Sequence, residues 1–204
     1  MEDGKILIKD IPFILLPSFF IEELSIYFIK NKKIPQLYML AWFWGYVFTD
    51  QIKNRFNLQK PDEIYRIGMD LIEAMGIGLY KTHNYKLGRY TNFTIPNNPF
   101  VQKIDMSTLK KQHFDYFISG FMAGGGSHVH NQPCQCIELL CRVNGDTKCD
   151  FLTGTEKELK SRKLWSTAVK RYDLKTIYPI QKKIFNRCSD ENKEIILSEI
   201  MNLI

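Results

Sequence analysis

Cys134 to Phe151 reads CQCIELLCRVNGDTKCDF. It holds four of the five cysteines, with Glu138 among them. An apolar run meets Asn144-Gly145-Asp146 and a second run follows, which is the pattern of a β-hairpin. Thiols and a carboxylate gathered near a bend make the donor set that zinc takes, usually as four ligands in a tetrahedron.

The spacing constrains such a clamp. Cys141 and Cys149 share a face if they pair directly across the hairpin. That predicts a three-residue loop, Asn144-Gly145-Asp146, with Gly145 at positive φ. Glu138 stands three residues before Cys141, so a flat strand points the two apart. A shared metal therefore requires a bulge or a strand end between them. Three donors do not close a structural site. Cys134, Cys136, His113, Asp115, His128 and His130 are the candidates for the fourth. The opposing reading makes the cysteines buried apolar fillers.

Upstream, a helix is expected over Thr108 to His130, with Gly120 and Gly124 four apart, where a close backbone neighbour fits. The Gly124-Gly125-Gly126 run falls inside or at the end of this helix rather than between a strand and a helix, which discounts a phosphate cradle. Ile77 to Asn84 and Arg89 to Ile95 alternate with period two and read as strands joined near Gly88. Before them come three helices. One is capped by Ser18 and faces inward through Phe19, Phe20, Leu24, Tyr27 and Phe28. One runs from Pro35 to about Arg55, with Leu37, Leu40, Ala41, Trp44, Phe48 and Ile52 in register. One starts at Pro61 and ends at Gly76. Ile6 to Ile8 and Phe13 to Leu16 are short strands or an extended lead-in. After the hairpin, Leu159 to Val169, Pro179 to Arg187 and Ser189 to Leu203 read as helices. The sum is a mixed α/β fold, an antiparallel sheet packed against several helices with a helical C-terminal extension.

The chain has 204 residues, which suits one domain with or without an extension. Its formal charge of +6 is uneven. Glu156 to Arg187 holds ten Lys and Arg against three Asp and Glu, so the rest is close to neutral. Such a segment marks a solvated helix face or a nucleic-acid contact, and no helix-turn-helix pattern accompanies it. The N-terminus lacks the pattern of a secretory leader, and the most apolar run, from Ile34 to Phe48, is short of the ~20 residues of a membrane span. A cytoplasmic protein is expected, in which cysteines serve as metal ligands or free thiols.

The run from Tyr116 to Phe151 resembles the 4-vinyl reductase domain family. It has spaced glycines on a helix (Gly120, Gly124), Glu-x2-Cys (Glu138, Cys141), Gly145-Asp146, and Cys-x-Phe (Cys149, Phe151). The likeness is specific over about 40 residues, weakens upstream and ends near residue 155. It implies a fold related to Golgi-trafficking subunits, nitric oxide sensors and the sensory domains of aromatic-responsive activators. It also implies a zinc held by Glu138, Cys141, Cys149 and a residue at the start of the glycine helix. That residue is Asp115 here, where the family has Cys. No nicotinamide or flavin fingerprint accompanies the family's reductase name.

The expectation is a small-molecule-binding domain over residues 1–155 with a structural zinc, followed by a basic helical extension over 156–204. An apolar or aromatic ligand would meet Trp44, Phe117, Phe121 and Met122, and the Gly120/Gly124 face would serve a homodimer or, equally, an internal neighbour. One rival is a metal-dependent enzyme using His128 or His130 as acid or base. The other is a ligand-responsive regulator whose basic segment contacts nucleic acid.

Overall fold

The computed structural model describes residues 17–101, 113–187 and 198, together with the backbone of Ile6–Ile8 and Ile11–Phe13. Those two backbone segments pair as β1 and β2. Three helices follow, α1 (Ser18–Lys30), α2 (Ile34–Arg55) and α3 (Pro61–Ala74). Strands β3 (Lys81–Lys86) and β4 (Tyr90–Ile95) come next, then α4 (Tyr116–His130), β5 (Cys134–Leu140) and β6 (Cys149–Thr155). Three helices close the described chain: α5 (Glu156–Ser161), α6 (Trp165–Tyr172) and α7 (Leu174–Arg187). The main sheet is antiparallel in the order β3-β4-β6-β5, and the helices pack against it. The mixed α/β expectation holds. No helix among the described residues is long and apolar enough to cross a membrane.

The ladder fixes which side chains share a face. Thr91, Phe93 and Ile95 of β4 pair with Thr153, Phe151 and Cys149 of β6. Cys136 and Glu138 of β5 pair with Thr153 and Phe151. Directly paired residues point the same way, as do alternate residues along a strand. One face therefore carries threonines at one end and cysteine and glutamate at the other. The rings of Phe93 and Phe151 stack between them at 5.1 Å.

Helix α4 lies between this face and α2. Gly126 meets Thr153, while a Cβ at Gly120 or Gly124 would collide with the Tyr38 or Trp42 carbonyl of α2. Only glycine lets the two helix backbones come so close. The Gly120/Gly124 face is thus taken internally, so it is not the free surface on which the homodimer expectation relied.

Several boundaries differ from the sequence reading. Ser18 is the first helical residue of α1 and caps nothing; Pro17 precedes it. The buried side of α1 is Ile21, Glu22, Ser25 and Phe28, whereas Phe19, Phe20 and Tyr27 are exposed. The apolar run of α1 is nearly continuous, so helical spacing does not choose among its faces. Strand β3 begins at Lys81 because Gly78, at φ 129°, breaks the extended run from Ile77. Helix α4 begins at Tyr116, with His113 to Asp115 non-helical; residues 108–112 of the expected helix lie outside the described residues. The expected helix from Leu159 to Val169 is two helices, parted where Lys163 takes φ 60°, and α7 runs through Pro179. The expected strand over 14–16 and helix over 189–203 lie, apart from residue 198, outside the described residues.

The C-terminal helices share the main core. Leu159, Tyr172, Ile177 and Ile184 are buried in one cluster with Tyr38 and Trp42. The Tyr172 ring stacks on Tyr38 at 3.9 Å. Tyr38 donates its hydroxyl to Gln135 Oε1 at 3.0 Å, and Gln135 Nε2 donates to Gln181 Oε1 at 2.7 Å.

Candidate functional site

Three elements converge at the clamp end of the sheet. Asp115 occupies the N-cap position of α4 but bonds no amide of that helix through its side chain. Glu138 lies near the end of β5, whose register shifts between Glu138 and Leu140. That irregularity meets the bulge requirement and turns Glu138 and Cys141 toward one another. Cys149 opens β6.

The hairpin loop is longer than three residues. The β5–β6 ladder closes at Leu140 and Asp150, and a 3-10 turn occupies Arg142–Asn144. The Cys141 N–H donates to Asp146 Oδ2 at 2.8 Å, which folds the chain back where the ladder was expected to continue. Gly145 has φ 95°, as a tight reversal requires.

The Asp115, Glu138, Cys141 and Cys149 side chains each bring one donor atom to within 4.8 Å of all the others, and all four are buried. A tetrahedral zinc with sulfur and oxygen ligands spaces its donors about 3.3–3.8 Å apart, so small side-chain rotations suffice. Glu138 Oε2 lies 3.2 Å from His113 Nδ1, while Oε1 is buried without a partner. Asp115 Oδ2 accepts from Asn98 Nδ2 at 2.8 Å, and the same nitrogen lies 3.7 Å from Cys149 Sγ. Arg171 Nη1 donates to the Glu138 carbonyl at 2.8 Å.

Burial, then the neighbouring Glu138, pushes the Asp115 carboxyl well above its usual range. Burial pushes Glu138 up to about 7. The Cys141 thiol is raised by its hydrogen bond with Cys149 and then by burial. Asp115, Glu138 and Cys141 are all biased toward their protonated forms, because negative charges crowd poorly into a dry site. A divalent cation would supply the missing counter-charge and displace the protons. The orphaned Oε1 and the two-sulfur, two-carboxylate set fit zinc.

The other fourth-ligand candidates stand apart, His113 excepted. Cys134 and Cys136 pair with Thr155 and Thr153 farther along β5. His128 and His130 close α4 at its far end, about 20 Å from Asp115 at 1.5 Å per residue. His128 packs against the Tyr46 ring at 4.1 Å, and His130 Nε2 lies 3.1 Å from Thr91 Oγ1. Burial holds both imidazoles down at about 4, hence neutral. Neither reaches the clamp to act as its acid or base. His113 is the histidine that does touch it.

At the opposite end of the same sheet face, about 14 Å along β6 from Cys149 to Thr153, a cavity of about 40 Å³ lies between α3, α4 and the sheet. Phe121 and Met122 line it, with Phe48, Ile64, Met69, Thr91 and Thr153. Trp44 and Phe117 do not. Trp44 is 42% exposed and packs edge-on against Phe117 at 5.5 Å. No local pattern flagged Thr91 or Thr153; their strand register alone brings them together.

No family model matches the chain, and no curated protein matches it. Solved structures do. One is the phenol-responsive sensory domain of the transcription activator PoxR with phenol, at TM-score 0.64 and 14% identity, covering 81% of this chain and 89% of that one. Another is a trafficking protein particle complex subunit 3 from Naegleria fowleri covalently bound to palmitic acid, at TM-score 0.51 and 15% identity, covering 67% and 93%. The likeness is one of fold, and it is the fold that the cysteine and glycine motif implied.

Proposed function

We propose that this chain is a small-molecule-binding domain in which a zinc clamp fastens the sheet to α4. The observation that carries the reading is the shared sheet face, with an apolar cavity at one end and the four-donor cluster at the other, both roofed by α4. The fold is common to a domain crystallised with phenol and a subunit crystallised with palmitic acid, which supports a ligand-binding role. Asp115, Glu138, Cys141 and Cys149 would hold the zinc. With four protein ligands it would act as a structural tie rather than a reactive centre. Asn98 orients the Asp115 carboxylate and His113 that of Glu138, the supporting contacts that metal ligands need. Phe121, Met122, Met69 and Ile64 would enclose the apolar body of the ligand.

Native mass spectrometry of freshly purified protein tests both halves together. One zinc per chain and a retained or titratable small molecule are expected. A chain mass with neither, unchanged by added zinc or by small apolar molecules, would overturn the reading.

A further inference from the structure

Four hydroxyl-bearing residues, Thr49, Tyr65, Thr91 and Thr153, line an otherwise apolar cavity; the Tyr65 hydroxyl is paired with Thr82, and at the floor Thr91 and Thr153 stand as direct partners across the β4–β6 ladder. Both are nearly fully buried, and no charged side chain lines the cavity. Thr153 Oγ1 has no hydrogen-bond partner. Its neighbour is the Cys136 thiol, a weak partner at best. A buried hydroxyl left this way is costly, and a ligand oxygen would remove the cost.

Thr91 is prepared differently. Its Oγ1 lies 3.1 Å from His130 Nε2, while Nδ1 of the same ring is buried without a partner. The ring is neutral, so one nitrogen carries the hydrogen. An orphaned buried N–H is rarer than a bare acceptor lone pair. The hydrogen therefore sits on Nε2 and is donated to Thr91 Oγ1. That leaves the hydrogen of Thr91 free to turn into the cavity.

Resting on the reading of this cavity as a ligand site, we propose that Thr91 and Thr153 form a two-hydroxyl cradle that selects small neutral molecules carrying one oxygen, with Thr153 as the specificity-determining residue. A carbonyl oxygen has two lone pairs and takes a hydrogen from each threonine. A ligand hydroxyl accepts from Thr91 and donates to Thr153. A carboxylate or an ammonium group meets no counter-charge there and loses its hydration. A hydrocarbon leaves Thr153 unsatisfied. The cavity, at about 40 Å³, is smaller than the ~150 Å³ that admits benzene. A ring-sized guest therefore requires Met69 and Met122 to re-pack, which flexible methionine side chains do readily.

The test uses the full chain and four matched probes, namely cyclopentanone, cyclopentanol, cyclopentane and cyclopentanecarboxylate. Affinities come from ligand-observed NMR and stability from thermal melting. The ketone and the alcohol should bind about tenfold tighter than the hydrocarbon, the size of one to two net neutral hydrogen bonds, and the carboxylate should not bind. Thr153→Val should keep the affinity for cyclopentane and reduce the preference for oxygen to about twofold or less. It should melt no lower than wild type, because a methyl replaces an unpartnered hydroxyl. Thr153→Ser should retain the preference. If Thr153→Val does not fold, Thr91→Val carries the same comparison. Equal binding of ketone and hydrocarbon, binding of the carboxylate, or a valine variant that keeps the preference would overturn the cradle while leaving the cavity as a ligand site. Binding of none of the four would overturn both.

Discussion

Cys141 and Cys149 differ from Cys134 and Cys136 in what surrounds their sulfurs, although all four are fully buried. The first pair meets carboxylates; Cys134 and Cys136 lie farther along β5. Cys141→Ser and Cys149→Ser should therefore lose zinc and the part of the melting temperature that a chelator removes. Cys134→Ser and Cys136→Ser should keep both. Elemental analysis beside melting curves with and without chelator makes the comparison. Asp115→Ala belongs with the first group, and full zinc in that variant would reassign the fourth ligand. The buried histidines make a separate prediction. His128 and His130 titrate near 4 when folded, by burial, against an ordinary 6.5. The unfolded chain thus binds more protons between those values, and stability falls as pH drops from about 6.5 toward 4. Among the groups facing His128, Asp50 opposes the shift and Lys53 adds to it. His130→Gln should flatten the decline in melting temperature across that window. An unchanged slope would mean that His130 does not report it.

Elements are held by backbone proximity as much as by side chains. A Cβ at Gly124 would drive into the Trp42 carbonyl, and neither helix can move without disturbing the sheet face beneath α4. Gly124→Ala should cost about 3 kcal/mol or more, the upper range for overpacking against rigid backbone. Gly145→Ala, with open space around its Cβ but φ 95°, should cost about 1 kcal/mol. Denaturant unfolding separates the two. The four-apart spacing of Gly120 and Gly124 was legible in the sequence as a close-approach surface, but the identity of the neighbour was not, because spacing does not name the partner. The clamp was legible for a related reason. Cys141, Glu138 and Cys149 lie within a dozen residues, and the need for a bulge follows from strand parity alone. Asp115 came from the resemblance and not from spacing. The cavity was half legible. Phe121 and Met122 stand out as apolar helix residues, whereas Thr91 and Thr153 lie 62 positions apart and meet only through the β4–β6 register. On α1, eight apolar residues among Phe19 to Ile29 leave the inward face to tertiary packing, which chose Ile21 and Phe28.

At the scale of the whole molecule, the basic segment is bound into the fold by its apolar side and by several of its charges. Arg162 bonds Glu158 at 2.7 Å and lies 4.2 Å over the Tyr90 ring, Lys160 pairs with Glu156 at 2.7 Å, and Arg171 caps the Glu138 carbonyl of the clamp strand. These contacts pair part of its positive charge with carboxylates, a ring face and a carbonyl of the fold itself. They also bear on the division at residue 155. Cutting there removes Leu159, Ala168, Tyr172, Ile177 and Ile184 from the main core, each 0–2% exposed in the intact chain. It strips the stacked ring from Tyr38, the Gln181 partner from Gln135 and the guanidinium from Glu138. Leu159, Ile177, Ile184 and the Tyr172 ring contribute about 1.5–3 kcal/mol each, a loss comparable to the whole ~5–15 kcal/mol by which a domain of this size is stable. Residues 1–155 alone should therefore fail to give a cooperative melting transition or dispersed amide resonances. Added zinc should not restore them, since zinc in the proposed clamp would tie α4 to the sheet and leave bare the face of α2 that α6 and α7 cover. A truncated chain that melts cooperatively and binds zinc would instead make the C-terminal helices a true extension, with the ligand-binding unit complete at residue 155.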